Sequence, residues 1–459
     1  MIDGLKPYPE YKDSGVSWLG EIPSRWDVRR MKLLLREVDS RSANGKEQLL
    51  RVSQFTGVTQ RKAIDGSDAP DTRASSLIGY KRVVVDDLVI NIMLAWNGSM
   101  GISRYDGIAS PAYCVYRLKS GARPWYYHEL LRLPLYKGRI KTASTGVVES
   151  RLRLYSDDLG RIEAIQPPPD EQDAIVRFLD HANGRIERAI RAKQKLMALF
   201  NEQKQAIIHR AVTRGLNPNV PLKPSGIPWL GDIPKHWEVL RSKYVFREVD
   251  DRSASGKETR LSMCQKRGLI PSSEIEVKRL VSESAVGAKI CEAGDLVLNR
   301  LKAHLGVFAL ASVRGLVSPD YTILRPARPM YARYFELLYR TPACRVELRK
   351  RAKGIVQGFW RLYTDDFYDI RLPVPSVPEQ EQIVRQLDLD LATLNAALSR
   401  TEREIGLLRE YRTRLVADVV TGKLDVRAAA RQLPEEAGES SDGAELSDSS
   451  DESDERPVE

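Results

Sequence analysis

Two stretches of the chain, SGVSWLGEIPSRW at 14–26 and SGIPWLGDIPKHW at 225–237, are near copies of one another. Eight of their thirteen positions are identical, at an offset of 211 residues. The same offset relates REVDSRSANGKE at 36–47 to REVDDRSASGKE at 247–258, where ten of twelve positions match. Repeats that build solenoids are only about 20–50 residues long, so this offset indicates two copies of a whole module.

The match continues through the rest of both copies. After a three-residue shift the offset becomes 208 and stays there. The matched pairs include Asp87-Leu88-Val89 with Asp295-Leu296-Val297, Arg153-Leu154-Tyr155 with Arg361-Leu362-Tyr363, Glu171-Gln172 with Glu379-Gln380, and Val212-Thr213 with Val420-Thr421.

Each copy begins with about 150 residues that favour a mixed α/β globule. Short apolar runs such as RVVVDDLVINIML are separated by Gly and Pro and predict strands, with helices at 125–141 and 330–351 between them. A proline-rich hinge, a Glu-Gln pair and then about 43 residues without proline follow in each copy. This second part predicts a long helix with acidic residues in its first turn, where the helix dipole favours them.

Both predicted helices carry an apolar heptad repeat, which is typical of a coiled-coil seam. The seam residues predicted to pair the helices are Leu179, Ile186, Ile190, Met197, Phe200 and Ile207 in the first helix, and Leu387, Leu391, Leu394, Leu398, Ile405, Leu408 and Leu415 in the second. The alternative is that each stripe packs on its own globule. Length argues against this alternative, since each helix would span roughly 65 Å at 1.5 Å per residue. We therefore expect the two helices to pair and to separate the globules.

Charge is distributed unevenly along the chain. The net charge is +10, but residues 434–459 hold eleven acidic residues and one arginine, so the rest carries +20. A basic body favours a polyanionic partner, most often nucleic acid, although a merely basic soluble protein is the alternative. The acidic tail has no aromatic residue, which predicts disorder from about 434 and a solubilising role rather than competition with DNA.

Motifs for catalysis, metal binding and membrane insertion are missing from the sequence. There is no GxxxxGK[ST] phosphate loop, GxSxG or HExxH, and the four cysteines form no CxxC pair. The repeated Asp157-Asp158 and Asp365-Asp366 have the residue type of metal ligands, but a turn or helix cap is the simpler interpretation. No secretory signal or membrane-length apolar run occurs, so we expect a cytoplasmic protein that binds no metal or cofactor itself.

The repeated motifs resemble those of the specificity subunit of type I restriction–modification enzymes. The residues that carry the resemblance are YKDSGVSWLGEIPSRW and its copy SGIPWLGDIPKHW, together with PPPDEQDAIVRFLD and PSVPEQEQIVRQLD at the two hinges. The resemblance covers about residues 8–424. It implies an α+β protein with two tandem α/β target recognition domains, two long helices forming an antiparallel coiled coil, and a pseudo-twofold internal repeat.

The resemblance also implies a division of labour along the chain. The predicted boundaries are 1–170 for recognition domain 1, 171–214 for spacer helix 1, 215–378 for recognition domain 2, 379–423 for spacer helix 2, and 424–459 for a C-terminal extension. Each recognition domain would bind one half of a bipartite site in double-stranded DNA. The helices would dock two methyltransferase subunits, and motor-nuclease restriction subunits would join them. S-adenosylmethionine, ATP and Mg would belong to those partners, leaving this chain non-catalytic.

Two loops differ between the copies inside the shared frame, as half-sites of different sequence require. The first loop is VVESRLR at 147–153 and IVQGFWR at 355–361, and it follows a cation-rich predicted helix. The second loop is MLAWNGSMG at 93–101 and RLKAHLG at 300–306. The predicted DNA contacts are Asn97, Lys137, Arg139, Lys141, Glu149, Arg151, Arg300, Lys302, His304, Arg349, Lys350, Arg351, Gln357 and Trp360.

Side-chain chemistry suggests individual roles for some of these residues. Gln357 is able to pair bidentately with adenine, Arg151 with guanine, and Glu149 is able to accept a hydrogen bond from cytosine. Each residue has the alternative of a solvated loop position, and Trp360 that of a core residue. At the level of the whole protein, the alternative function is a stand-alone coiled-coil DNA-binding protein, either a repressor or an architectural factor.

Overall fold

The computed structural model of the chain describes residues 5–61, 74, 76–148, 151–264, 267–274, 285–354 and 360–434, apart from the side chain of His304. These residues divide into two compact units. Unit 1 consists of residues 5–192 and 404–434, and unit 2 consists of residues 193–403. Each unit therefore contains one globular region together with parts of both long helices.

The first copy forms a mixed α/β globule followed by a long helix. Its strands are β1 (Tyr11–Asp13), β2 (Glu21–Pro23), β3 (Asp27–Arg30), β4 (Leu35–Glu37), β5 (Leu50–Ser53), β6 (Gly57–Gln60), β7 (Lys81–Val83), β8 (Leu88–Asn91), β9 (Met100–Ile102), β10 (Gly107–Ala109), β11 (Tyr113–Leu118) and β12 (Glu163–Gln166). Its helices are α1 (Met31–Leu34), α2 (Pro124–Arg132), α3 (Pro134–Ala143), α4 (Ser156–Arg161) and α5 (Pro169–Arg214).

The second copy repeats this order. Its strands are β13 (Leu222–Pro224), β14 (Asp232–Pro234), β15 (Glu238–Arg241), β16 (Phe246–Val249), β17 (Leu261–Cys264), β18 (Gly268–Pro271), β19 (Lys289–Cys291), β20 (Leu296–Asn299), β21 (Phe308–Leu310), β22 (Gly315–Val317), β23 (Tyr321–Pro326) and β24 (Arg371–Val374). Its helices are α6 (Ala332–Tyr339), α7 (Pro342–Arg351), α8 (Thr364–Tyr368), α9 (Val377–Val420) and α10 (Arg427–Gln432).

Equivalent strands pair in the same way in both copies. An antiparallel sheet of order β4-β11-β8-β9 in unit 1 matches β16-β23-β20-β21 in unit 2. The central strands β8 and β20 are buried at every position, which explains their apolar runs LVI and LVL; each strand ends in a buried asparagine. The internal repeat in the sequence is therefore a repeat of the sheet topology as well.

The long helices run antiparallel within each unit. In unit 1, Glu187 of α5 lies 3.4 Å from Arg412 of α9. In unit 2, Lys204 of α5 donates a hydrogen bond of 2.8 Å to Asn395 of α9. All thirteen predicted seam residues are buried or half-buried. The predicted α+β fold class, with two long helices forming an antiparallel coiled coil, is confirmed.

A first-turn glutamate, buried in unit 1 and half-buried in unit 2, fixes the start of each long helix to its globule. In unit 1, the indole N–H of Trp26 donates to Glu171 at 2.8 Å, and the hydroxyl of Tyr8 donates to the same carboxylate at 3.1 Å. In unit 2, the indole N–H of Trp237 donates to Glu379 at 3.0 Å. Both indoles are buried. The tryptophans of the repeated motif are thus structural anchors.

The neighbouring glutamine and a buried tyrosine complete this anchor in both units. Gln172 accepts from the N–H of Arg123, and Gln380 accepts from the N–H of Tyr331, each at 2.8 Å. In unit 1 the hydroxyl of Tyr126 donates to the carbonyl of Val420 at 3.1 Å. The equivalent bond in unit 2 joins Tyr334 to Val212 at 2.8 Å. Each globule therefore also holds the end of the long helix that belongs to the other copy.

A proline divides each of two predicted helices into a pair of shorter helices. The expected helix 125–141 is two helices, α2 and α3, and the expected helix 330–351 is α6 and α7. Pro134 and Pro342 each occupy the first turn of the second helix. Proline lacks an N–H and disfavours a helical conformation in the residue before it, so Leu133 is extended at φ −61° and ψ 144°.

The predicted disorder of the acidic tail concerns residues outside the described part, which ends at 434. Among the described residues, no helix combines the length and the apolar character that spanning a membrane requires.

The anchors predict unequal stability effects. Glu171→Ala leaves the Trp26 indole, the Tyr8 hydroxyl and the Arg427 guanidinium, 3.3 Å away, without a buried acceptor. We expect it to lower the free energy of unfolding of unit 1 by about 3–5 kcal/mol. Glu379→Ala should cost unit 2 less, about 1–3 kcal/mol, because Glu379 and its partner His236 are partly exposed and water can reach the site. Hydrogen exchange resolved by unit measures both effects, and equal losses would contradict the assignment.

Candidate nucleic-acid interface

The two divergent loops lie side by side in each unit. In unit 1 an isolated β-bridge between Thr145 and Arg153 closes the first loop, and in unit 2 the bridge joins Lys353 and Arg361. The residue after each bridge then bonds to the backbone where the second loop begins. Leu154 N–H donates to the carbonyl of Ile92 at 3.0 Å, and Leu362 N–H donates to that of Arg300 at 3.1 Å. The frame thus brings together two segments that the sequence separates.

A cation lies over an indole at the same helix position in both units. The ammonium of Lys141 on α3 lies 5.5 Å from the ring centroid of Trp96. The guanidinium of Arg349, at the equivalent position on α7, lies 4.9 Å from the ring of Trp360. The indole belongs to the second loop in unit 1 and to the first loop in unit 2. Lys141 and Arg349 are therefore equivalent cations held beside the loops by an indole, although the loops themselves differ between the two units.

In each unit a second cationic side chain lies across the second loop, over a glycine. A Cβ at Gly98 would lie 2.4 Å from Cε of Lys137, and a Cβ at Gly306 would lie 2.6 Å from Cδ of Arg345. Both glycines have a positive φ, +95° and +73°. The glycines thus allow the aliphatic part of each cation to lie directly on the loop backbone. Burial lowers the pKa of the Lys137 ammonium, with a smaller contribution from nearby Arg132.

Other predicted DNA contacts are engaged by the protein itself. Arg139 lies 3.8 Å from Glu163 and over the ring of Trp18, on the shared frame. Asn97 accepts hydrogen bonds from the N–H and the hydroxyl of Ser99, which shape the second loop. Arg300 donates to the carbonyl of Asp320 at 2.9 Å, and Arg351 is paired with Glu347. Their contact with DNA stays a prediction.

The remaining predicted residues vary in exposure. Arg151 and Lys350 are exposed, and Lys302 is half-buried. Lys350 and Arg349 border a groove of about 420 Å³ that Trp360 also lines. Glu149 and Gln357 lie outside the described residues, as does the side chain of His304.

Two residues at this surface were not predicted from the sequence. Trp96 stands next to Asn97 in the second loop, so the divergence of that loop was the signal for it. Arg132 ends α2, and its guanidinium donates to backbone carbonyls of both the second loop and the β5–β6 hairpin, including Met100 and Phe55 at 2.7 Å each. No sequence pattern marks such a residue, because its acceptors are main-chain atoms.

The described residues contain no group of three or more His, Cys, Asp or Glu side chains placed to hold a metal ion. Asp157 and Asp158 lie in the first turn of α4, and Asp365 and Asp366 in that of α8, where the helix dipole favours carboxylates. Asp366 is also paired with Lys353 at 2.8 Å.

Comparison with known proteins identifies the class to which this fold belongs. No family model matches the chain. The chain is 19% identical over 435 residues to MjaX of Methanocaldococcus jannaschii, provisionally named a type I restriction enzyme specificity subunit, with 89% of this chain and 96% of that protein covered. It is 21% identical over 374 residues to the type I restriction enzyme MjaVIII specificity subunit of the same organism, with 76% and 83% covered.

A solved chain from a study of complex assembly and conformational transition in a type I restriction–modification system shares the fold. The TM-score is 0.59 at 16% identity, and the match covers 88% of this chain and 99% of that chain. The chain is therefore similar in sequence to type I restriction enzyme specificity subunits, as its repeated motifs indicated, and it shares its fold with a chain of a type I restriction–modification system. These relatives are named specificity subunits, which agrees with the prediction that this chain is not itself an enzyme.

The glycine beneath Lys137 gives a test of the loop geometry. Gly98→Ala places a Cβ against that side chain and strains a left-handed backbone, so it should lower the free energy of unfolding of unit 1 by about 1–2 kcal/mol. Gly138→Ala on α3 is the matched control, since no atom lies within 4 Å of its Cβ position. It should stabilise the unit by about 0.5–1 kcal/mol. Denaturant titration measures both, and equal effects would refute the close contact.

Proposed function

We propose that this chain is the DNA specificity subunit of a type I restriction–modification complex. Each recognition domain binds one half of a bipartite site in double-stranded DNA, and the paired helices set the spacer between the halves. The observation that carries this proposal is the shared frame with its two adjacent divergent loops in each unit. A frame of this kind presents different side chains to two different half-sites from the same position.

The charges at the loops support a DNA partner. Lys141 and Arg349 hold the same position in the two units, and Lys137 and Arg345 hold another. Cations at fixed positions suit phosphates, which occur in every sequence, whereas the differing loops suit the base edges. The body of the chain carries the positive charge that such binding requires.

The surface of the long helices supports two identical protein partners. Leu199 of α5, in unit 2, and Leu407 of α9, in unit 1, are equivalent in the repeat, and their side chains are 53% and 64% exposed. Exposed leucines at matched positions fit two copies of one partner. We assign these partners as methyltransferase subunits, with motor-nuclease restriction subunits joining them. S-adenosylmethionine, ATP and Mg then belong to the partners, and the complex acts in the cytoplasm.

The alternative of a stand-alone coiled-coil DNA-binding protein makes a different prediction about partners. A repressor or architectural factor would bind its site alone, whereas a specificity subunit acts with its methyltransferase. Sequence-specific binding that is unchanged by addition of the methyltransferase would favour the alternative.

DNA binding by the reconstituted complex tests the proposal at single residues. Lys350→Ala should weaken binding to all sequences about equally and reduce the salt dependence by about one phosphate contact. Gln357→Ala should relax one base of the second half-site and cost about 1–3 kcal/mol there. Competition binding with randomised half-sites at several salt concentrations separates the two effects. Unaltered base preference in Gln357→Ala would show that the first loop does not read that half-site.

The helices give a test of the spacer. Inserting one heptad after Phe200 keeps the seam on the same face and lengthens α5 by about 10 Å at 1.5 Å per residue. At about 3.4 Å per base pair, the spacer should grow by at most about three base pairs with both half-sites unchanged, or by less if part of the insertion loops out. A two-residue insertion is the control, since it turns the stripe off the seam and should damage assembly. A functional heptad variant with the original spacer would contradict this role.

A further inference from the structure

A third element of unit 1 reaches the same surface as the two divergent loops. It is the tip of the β5–β6 hairpin, residues Gln54, Phe55 and Thr56, which connect the paired residues Ser53 and Gly57. Gly57 has a φ of +73°, the left-handed conformation that closes three-residue hairpin loops. The strands on either side are anchored by Leu50 and Val58 in the core.

The backbone of this tip is held from two sides. The N–H of Phe55 donates to the hydroxyl of Ser53 at 3.1 Å. The guanidinium of Arg132 donates to the carbonyls of Gln54 at 3.0 Å and Phe55 at 2.7 Å. Burial lowers the pKa of this guanidinium. A hairpin tip with its carbonyls bound in this way keeps one conformation.

The same guanidinium places the tip beside the second loop. It donates to the carbonyls of Gly98 at 3.2 Å and Met100 at 2.7 Å. Gly98 is the residue over which Lys137 lies, and Trp96 with its Lys141 cation is two residues away. Phe55 therefore stands next to the predicted DNA contacts of unit 1.

The side chain of Phe55 is nevertheless 65% exposed. An exposed phenyl ring on a rigid tip contributes little to the stability of its own domain, and a rigid exposed aromatic group is suited to recognition. The guanidinium of Arg132 binds the backbone of the tip, and Lys137 and Lys141 lie at the adjoining second loop. This arrangement fits a nucleic acid, because the phenyl ring can contact apolar edges of the bases while the cations bind the phosphates.

The two copies differ at this tip although the strands on either side keep their register. Unit 1 has Gln54-Phe55-Thr56 where the second copy has Gln265-Lys266-Arg267. A partner protein present in two identical copies would favour the same tip in both. A difference confined to the tip instead parallels the two divergent loops.

We propose that Phe55 is a specificity-determining residue for the first half-site, and that Arg132 is its positioning residue. The inference rests on the proposed function. The phenyl ring makes an apolar contact with the bases of duplex DNA, through the methyl group of thymine or by packing against a base step. Arg132 acts through the backbone of the tip and does not itself contact DNA.

The experiment measures base selectivity of the complex with its methyltransferase on a library randomised in the first half-site. Phe55→Ala should reduce discrimination at one or two adjacent positions by about tenfold, the scale of one lost base contact. Selectivity at the second half-site should stay unchanged and serves as the internal control. Leu33→Ala is the matched control, because Leu33 is also exposed, on α1 of unit 1, and should change neither half-site.

Arg132→Lys tests the positioning role. Lysine keeps the charge but lacks the fork that binds several carbonyls at once, so the same base positions should lose selectivity. Phe55→Ala with Arg132→Lys should be no less selective there than Phe55→Ala alone. A purely structural Arg132 would lower the melting temperature without changing the preference at those positions, and that result would overturn its assignment.

Two outcomes would overturn the role of Phe55. One is unchanged selectivity at the first half-site in Phe55→Ala while the wild-type complex is selective, which leaves the proposed function standing. The other is loss of methyltransferase binding in Phe55→Ala, measured by gel filtration, which would show that the ring contacts protein. A wild-type complex without selectivity at either half-site would instead overturn the proposed function, and this inference with it.

Discussion

The hydrogen bond from a buried indole to the first-turn glutamate of each long helix sets the geometry of both units. Trp26 with Glu171 and Trp237 with Glu379 fix where each helix leaves its globule. A carboxylate in this position is favoured by the helix dipole, and each has a basic side chain beside it in addition to the indole, Arg427 for Glu171 and His236 for Glu379. Once both helix starts are fixed, the seam determines how the helices pair.

The anchor also explains which parts of the two copies are alike. Tyrosine from each globule bonds to the end of the helix that belongs to the other copy, so both copies must keep the same frame. The loops differ in sequence between the copies, although both copies keep the glycine under Lys137 or Arg345 and the bridge that closes the first loop. A protein built in this way can change the surface of one half while keeping the geometry of the whole.

Much of the frame was predictable from the sequence, because repeats and heptads are local patterns. The shared motifs predicted the two copies, and the apolar stripes predicted the long helices and their buried faces. The two proline breaks were missed because Pro134 and Pro342 stand within otherwise helical sequences. The residues of the site were harder to predict, since the positions of Arg132 and Trp96 depend on contacts with backbone and side chains that are distant in sequence. Arg139 is a similar case: it shares a helix with Lys141, but it lies against Glu163 of the shared frame, a contact that the sequence does not reveal.

In the proposed function, one chain reads two separate half-sites. Sequencing the methylated bases of cells that carry this chain with its methyltransferase measures this property. We expect one modified motif with two short blocks of defined bases, separated by unspecified bases of constant number, and the modification should disappear when this chain is removed. A single continuous motif, or methylation that persists without the chain, would contradict it.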